Sequence, residues 1–185
     1  MEKIRTFMCV EISDQPILDK IINFQNDLKF ANIKFVEREN IHFTFKFFGD
    51  LTKPIIDKII DIMEKVEGEP FKISIEKVGV FPKLNFPRVI WVGVSEGAEK
   101  LIQLYNQLNP NFMKLGFKKE RPYSPHATIG RVRSGKNKAQ LIKKITEYKN
   151  FKFGIMDVTS FQLKKSVLTK KGPIYTIIKK TFLGK

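Results

Sequence analysis

The chain has 185 residues and a mass of 21.5 kDa, which predicts one domain and excludes a multidomain scaffold. Hydrophobic residues make up 42% of it and include 17 Phe, enough for a packed core and too many for a disordered protein. The net charge is +15, but residues 1–113 carry a net −1 and residues 114–185 a net +16. This asymmetry favours an anionic partner, nucleic acid before membrane, over a merely lysine-rich surface.

Hydrophobic periodicity predicts helices and strands that alternate along the chain. Asp14 and Thr52 are predicted helix caps, and Asn109-Pro110 is expected to kink or split the third helix. The predicted strands are 4–12, 33–36, 41–48, 71–80, 88–95, 125–133, 152–167 and 174–182, and the predicted helices are about 14–30, 52–66, 97–115 and 137–148. Because several strands follow one another through short turns, an α+β fold with a mixed or antiparallel sheet is favoured.

Several function classes are disfavoured by what the sequence contains. The single cysteine, Cys9, forms no internal disulfide and supplies no zinc site alone, and it suits a reducing cytoplasm. No stretch has the apolar character of a signal peptide or a membrane span, and no Gly-rich phosphate loop is present. We therefore expect a cytoplasmic, monomeric protein that neither spans a membrane nor uses nucleotide-driven chemistry.

The two histidines of the chain open the same pattern, His42-Phe43-Thr44-Phe45 and His126-Ala127-Thr128-Ile129. On a strand, the His and Thr of each pattern project from one face, while the apolar residues between them enter the core. The repeated pattern suggests an internal duplication, in which two related strands lie side by side and both histidines face one cleft. Two unrelated surface or core histidines are the alternative.

Such a pair suits acid–base chemistry at phosphorus. Histidine titrates near neutral pH, so one ring accepts a proton while the other donates one, as an in-line displacement requires. Threonine hydroxyls can hydrogen-bond the non-bridging oxygens, and a nearby Arg or Lys can balance the developing charge. Two histidines without neighbouring carboxylates or cysteines supply too few ligands for zinc, so we expect no metal and no cofactor.

The two motifs, together with RTFMCVEI near the N-terminus, KFFGDL after the first motif and PYSPHATIGRVR around the second, resemble the bacterial and archaeal RNA 2′,3′-cyclic phosphodiesterases. These enzymes, formerly named 2′-5′ RNA ligases, belong to the two-histidine (2H) phosphoesterase superfamily. The resemblance implies a bilobed, pseudo-symmetric α+β fold, a metal-free site and hydrolysis of a terminal 2′,3′-cyclic phosphate to a 2′-phosphate. By position, it also implies catalytic roles for His42, Thr44, His126 and Thr128, and it matches the family's arginine to Arg131.

We accordingly expect residues 1–185 to form one domain of two intertwined lobes, with the motifs at 42–45 and 126–129. His126 is the predicted general base and His42 the predicted general acid, although the near-identical motifs leave this order close to interchangeable. Reversible 2′-5′ RNA ligation at the same site and a non-catalytic, basic RNA-binding module are the alternative functions.

Further residues are candidates for binding the substrate. Arg131 has the wrong strand parity to face the cleft unless Gly130 forms a bulge; without a bulge, Lys46 is the better cation. Tyr123 and Phe48 are candidates to stack on the terminal base, although core packing is favoured for Phe48. The RNA backbone is expected to lie on the basic C-terminal half, where the clustered lysines are Lys164, Lys165, Lys170 and Lys171.

Overall fold

The structure is a computed structural model that describes residues 2–170 and 172–184. Within these residues, four α-helices pack against one antiparallel sheet of nine strands. The strands are β1 (Ile4–Glu11), β2 (Ile33–Phe35), β3 (His42–Leu51), β4 (Phe71–Lys83), β5 (Phe86–Val94), β6 (His126–Val132), β7 (Lys152–Val158), β8 (Ser160–Leu168) and β9 (Pro173–Phe182). The helices are α1 (Gln15–Asp27), α2 (Lys53–Glu64), α3 (Ala98–Lys114) and α4 (Lys138–Glu147). Lys171 lies outside the described residues.

The sheet is arranged symmetrically about the two motif strands. Its strand order is β7-β4-β5-β6-β3-β1-β8-β9, with β2 also paired to β6. The motif strands β3 and β6 therefore lie side by side in the middle, and three further strands extend outward from each. This order confirms the predicted pseudo-symmetric α+β fold, whereas the division of the chain into two intertwined lobes stays a prediction.

One hydrophobic core joins the helices to the sheet. Ile21 and Phe24 of α1 and Phe43 of β3 are fully buried in it. The buried amide of Gln25 donates from Nε2 to the carbonyls of Val36 and Ile129, at 2.9 Å in each case. These bonds anchor α1 to the strand that carries the second histidine.

The C-terminal strands differ from the prediction. Residues 152–167 were expected to form one strand, but the chain breaks at Thr159 into β7 and β8. β7 pairs with β4 at one end of the sheet, whereas β8 pairs with β1 in the other half. Strand periodicity reports which face a residue occupies and not which strand it pairs with, so the crossover left no signal in the pattern.

The third helix is unbroken, so one of the two effects expected of Asn109-Pro110 does not occur. It is one continuous helix over Ala98–Lys114, with Pro110 inside it, and is not split at Asn109-Pro110. Leu108 and Phe112, on either side of this proline, are both buried in the core. Their packing holds the helix together across the hydrogen bond that the proline nitrogen is unable to donate.

Two phenylalanines of β3 test which face of this strand is buried in the core. Phe43 is 0% exposed and Phe47 is 66% exposed. We expect Phe43→Ala to lower the free energy of unfolding by about 3–5 kcal/mol, because it leaves a cavity in the core. Phe47→Ala, the matched control, should lower it by less than about 1 kcal/mol. Urea denaturation measures both losses, and equal losses would contradict the burial pattern of β3.

Candidate active site

The two histidine motifs meet across one pair of neighbouring strands. Phe43 of β3 lies opposite Ala127 of β6, and both side chains are fully buried. Continuing this antiparallel register by one residue in each direction places His42 opposite Thr128 and Thr44 opposite His126. Directly opposed side chains on a sheet have Cβ atoms about 4.5–5.5 Å apart, and diagonal ones about 7–8 Å. The four side chains thus form a crosswise quartet on the face opposite the core.

The quartet lines a cleft with two adjoining parts. His42, Thr44, Thr128 and Arg131 line a part of about 290 Å³. His126 and Thr128, again with Thr44 and Arg131, line a second part of about 680 Å³. The two threonines and Arg131 border both parts, so a group bound at their junction is within reach of both motifs.

Both histidine rings are oriented by the same kind of hydrogen bond. Nδ1 of His42 lies 2.7 Å from the carbonyl oxygen of Asn40, and Nδ1 of His126 lies 2.8 Å from that of Ser124. A carbonyl oxygen only accepts, so Nδ1 carries the hydrogen in each ring. Nε2 is therefore the nitrogen that is left to exchange a proton with a ligand in both motifs.

Aromatic rings from other strands of the sheet contact each histidine. Phe7 stacks on His42 with ring centroids 5.0 Å apart, and Tyr175 meets it edge-on at 5.7 Å. Phe81 lies edge-on to His126 at 4.9 Å. These contacts restrict the orientations of both rings.

An ion pair distinguishes the surroundings of His42. Glu11, its neighbour across β1 and β3, accepts hydrogen bonds from Nζ of Lys164 and from Nε2 of Gln162. Burial lowers the pKa of His42 to about 4; Lys164 adds to this effect, while the hydrogen bond to Asn40 and the charge of Glu11 oppose it. His42 is therefore neutral at pH 7 in the free protein.

Arg131 reaches the cleft because of a bulge at Ile129, one residue before the Gly130 at which the sequence suggested one. Ile90 of β5 pairs with Gly130, but the next residue, Trp91, pairs with Thr128, so β6 has one extra residue there. The bulge reverses the parity of the strand, and Arg131 points into the same cleft as Thr128. Its role in binding a ligand stays a prediction.

Lys46 and Phe48 do not present free groups to the cleft. Strand β3 changes face after Phe45, so Lys46 is only 3% exposed and its Nζ lies 3.1 Å from Glu120 Oε2. Phe48 is buried against Phe112 and Phe117, in the core packing that was favoured for it. Lys46 borders the larger part of the cleft with its charge already paired, and Phe48 has no face left for a base.

Tyr123 borders the cleft but is partly covered. Its ring stacks on Tyr105 at 4.9 Å and meets Phe45 edge-on at 5.3 Å. Its hydroxyl is buried without a hydrogen-bond partner among the described residues, and burial raises its pKa above the ordinary value. A base on Tyr123 must therefore use the ring edge or a face not taken by Tyr105.

The structure adds cleft residues that the sequence reasoning missed. Phe47 replaces Phe48 as the exposed ring of β3, and Lys34, Arg133 and Tyr175 line the smaller part of the cleft. The sequence did contain a signal that one phenylalanine is exposed here: Phe47 and Phe48 are adjacent, and two consecutive strand residues normally face opposite sides of the sheet. Of the other three, Arg133 directly follows β6, whereas Lys34 on β2 and Tyr175 on β9 reach the cleft through the long-range order of the sheet.

One of the four C-terminal lysines, Lys164, is not available as a predicted backbone contact. Lys164 is 4% exposed and paired with Glu11, so its charge supports the site from within the sheet. Lys171 is outside the described residues, while Lys170 is exposed and Lys165 half-buried. Among the described residues, no group of three or more His, Cys, Asp or Glu is placed to hold a metal ion, and no helix is long and apolar enough to span a membrane.

The ion pair behind His42 predicts a change in its titration. Lys164→Met removes a cation and leaves the carboxylate of Glu11, so the pKa of His42 should rise. Lys165→Met, the neighbour on the opposite face of β8, is the control and should leave the pKa unchanged. The chain has two histidines, so proton NMR titration resolves both rings. An unchanged His42 titration in Lys164→Met would show that Lys164 does not contribute to the lowered pKa.

Comparison with known proteins matches this architecture. A family model described as the AKAP7 2′5′ RNA ligase-like domain matches residues 6–183. A protein of Methanothermobacter thermautotrophicus named RNA 2′,3′-cyclic phosphodiesterase is 43% identical over 178 residues, covering 94% of this chain and 96% of that protein. A protein of the same name from Methanocaldococcus jannaschii is 38% identical over 175 residues, covering 95% and 98%.

Solved structures show the same fold. The apo form of Escherichia coli LigT superposes with a TM-score of 0.80 at 22% identity, covering 100% of both chains. LigT complexed with 3′-AMP superposes with a TM-score of 0.78 at 21% identity, again over 100% of both chains. The family model matches nearly the whole chain, and the two archaeal relatives are 38% and 43% identical to it over almost their full lengths. The chain therefore belongs to the 2′-5′ RNA ligase-like family of two-histidine phosphoesterases.

Proposed function

We propose that this protein hydrolyses the 2′,3′-cyclic phosphate at the end of an RNA strand to a 2′-phosphate. The observation that carries the proposal is the crosswise quartet, because it offers two Nε2 atoms and two hydroxyls to one group in the cleft. The names of the relatives from M. thermautotrophicus and M. jannaschii support the same activity.

The quartet supports a concerted displacement at phosphorus. One histidine removes a proton from water as the water oxygen attacks phosphorus, and the other gives its proton to O3′ as the P–O3′ bond breaks. Thr44 and Thr128 donate hydrogen bonds to the non-bridging oxygens. Arg131 balances the negative charge that builds up on those oxygens. Protons and bonds balance with water as the only co-reactant, so the mechanism uses no metal and no cofactor.

We keep His42 as the general acid and His126 as the general base. A ring whose pKa is about 4 is neutral in the free protein, so His42 must take up its proton together with the anionic substrate. Once protonated, such a ring is a strong acid and gives the proton readily to the departing oxygen. If His42 were instead the general base, it would need no proton uptake. The assignment of acid and base therefore calls for a direct test.

The protein is further proposed to act in the cytoplasm as a monomer on RNA ends. Both motifs of the site come from this one chain, and the only cysteine, Cys9, is buried and unpaired. Burial raises the pKa of its thiol to about 12, so Cys9 is neutral at pH 7 and takes no part in the chemistry.

Removal of either histidine tests the mechanism. The wild-type protein should hydrolyse a cyclic-phosphate end in excess EDTA, and His42→Ala and His126→Ala should each lower kcat by about 10²–10⁴-fold. The double variant should lose far less than the product of the two, because both residues act in one step. Turnover that needs added metal would refute the proton-transfer mechanism. RNA binding that persists without any turnover would instead favour a non-catalytic module.

A substrate with sulfur in place of O3′ tests the order of the histidines. A thiolate leaves without protonation, since a thiol has a pKa of about 8.5. On this substrate, His42→Ala should recover most of the wild-type rate, whereas His126→Ala should stay impaired because water still needs a base. Recovery in His126→Ala alone would reverse the two roles. The pH profile is bell-shaped for either order and does not distinguish them.

A further inference from the structure

Three acid-free segments of the chain meet at the end of the sheet beside Arg131. Residues 28–36, 77–95 and 121–146 together contain twelve Lys and Arg and no Asp or Glu. They include β2, β5 and β6, in which Arg131 pairs with Lys34 on one side and Val89 on the other. The fold thus concentrates positive charge from both halves of the sequence at one edge of the active-site cleft.

Hydrogen bonds hold these segments to one another. The backbone N–H of Arg133 donates to the carbonyl of Asn32 at 2.8 Å. The side-chain amide of Asn137 donates to the carbonyl of Phe30, also at 2.8 Å. The connection from β6 to α4 is therefore fixed against the segment that contains β2, and the cations on it have a defined arrangement.

Five of these cations form a surface that we call the basic rim. The basic rim consists of Lys34, Arg88, Arg133, Lys136 and Lys138. All five side chains are exposed, and none of them forms a salt bridge with a described carboxylate. Unpaired, clustered cations of this kind are the electrostatic footprint of a polyanion site.

The basic rim contains an aromatic platform. Phe86 is 47% exposed, and Cζ of Arg88 lies 4.4 Å from the centre of its ring. Both line a cavity of about 240 Å³ that Lys138 and Leu141 of α4 also border. Single-stranded nucleic acid is bound by such combinations, in which a base stacks on a ring or guanidinium plane while cations hold the phosphates.

We propose that the basic rim binds the single-stranded RNA that runs 5′ from the cyclic phosphate, with one nucleobase at Phe86 and backbone phosphates on the cations. This proposal rests on the proposed function, which places the cyclic end beside Arg131. Along β6, Arg133 lies five residues beyond Thr128, a distance of roughly 15 Å at the rise of a strand. The basic rim therefore takes the nucleotides on the 5′ side of the terminal one, and the terminal nucleotide stays in the cleft.

Charge reversal tests the basic rim. The variant Arg88→Glu/Lys136→Glu/Lys138→Glu changes three residues that do not line the active-site cleft. On a 12-nucleotide RNA ending in a 2′,3′-cyclic phosphate, its KM should rise by at least about tenfold. The slope of log affinity against log salt should fall by about 2, since each lost single-strand phosphate contact removes about 0.7. Turnover of uridine 2′,3′-cyclic phosphate should be unchanged, because that nucleotide reaches only the cleft.

A matched control separates local contacts from net charge. Lys20→Glu/Lys58→Glu/Lys100→Glu makes the same change in charge at exposed positions of α1, α2 and α3 and should leave the 12-nucleotide substrate almost unaffected. Equal weakening in the control, equal losses on both substrates, or no loss on either would each overturn the proposal. Circular dichroism melting confirms that the variants are folded.

A binding measurement without turnover distinguishes failure of the basic-rim proposal from failure of the proposed hydrolysis. The affinity for the same 12-nucleotide RNA ending in a 2′-phosphate is measured without turnover. If the wild-type protein hydrolyses neither substrate but the basic-rim variant still binds this RNA more weakly than the control, the proposed function fails and the basic rim stands. If hydrolysis is observed and the two variants bind equally, the basic rim fails alone.

Phe86→Ala tests the single-stranded character of the ligand. Loss of one stacked base should weaken binding of the 12-nucleotide RNA by about 5- to 100-fold. Binding of a 12-base-pair RNA duplex should not change, because its bases are stacked within the helix. A duplex that binds as tightly as the single strand, or a Phe86→Ala variant that binds the single strand normally, would overturn the assignment to single-stranded RNA.

Discussion

The site depends on the pairing of two strands from distant parts of the chain. Where Phe43 lies opposite Ala127, both apolar side chains are buried on the core face, and the His and Thr residues on either side must face the cleft. A shift of one residue in this register would bury the polar residues and expose the apolar ones. The stability of the core therefore fixes the geometry of the active site.

The two halves of the site are alike in geometry and unlike in electrostatics. Each histidine donates from Nδ1 to the carbonyl two residues earlier, so both present Nε2 to the ligand. Only the first has the Glu11–Lys164 pair across the neighbouring strands, and burial lowers its pKa to about 4. The surroundings of His42 therefore favour its neutral ring, although its Nδ1 hydrogen bond has the same geometry as that of the second motif.

The positive charge of the chain serves more than one purpose. Lys46 and Lys164 are buried and paired with Glu120 and Glu11, so they orient neighbouring groups and contribute little to the outer field. Exposed, unpaired cations of the described residues are concentrated instead where β2 and β5 begin and β6 ends, and β2 and β5 come from the half of the sequence with no net positive charge. The asymmetry along the sequence is therefore a poor guide to the asymmetry in space.

The sequence by itself determined that the His and Thr of each motif share a strand face, and it determined most helices and strands, because strand parity and helical periodicity are local signals. Glycine in a strand is also a local signal, and it suggested the bulge to within one residue. It did not determine the break at Thr159 or the exposure of Phe47, since these depend on which strands pair. It also did not show that Lys164 is neutralised by Glu11, which lies 153 residues away. Which cations stay free for a ligand depends on such long-range contacts, and only the tertiary structure decides them.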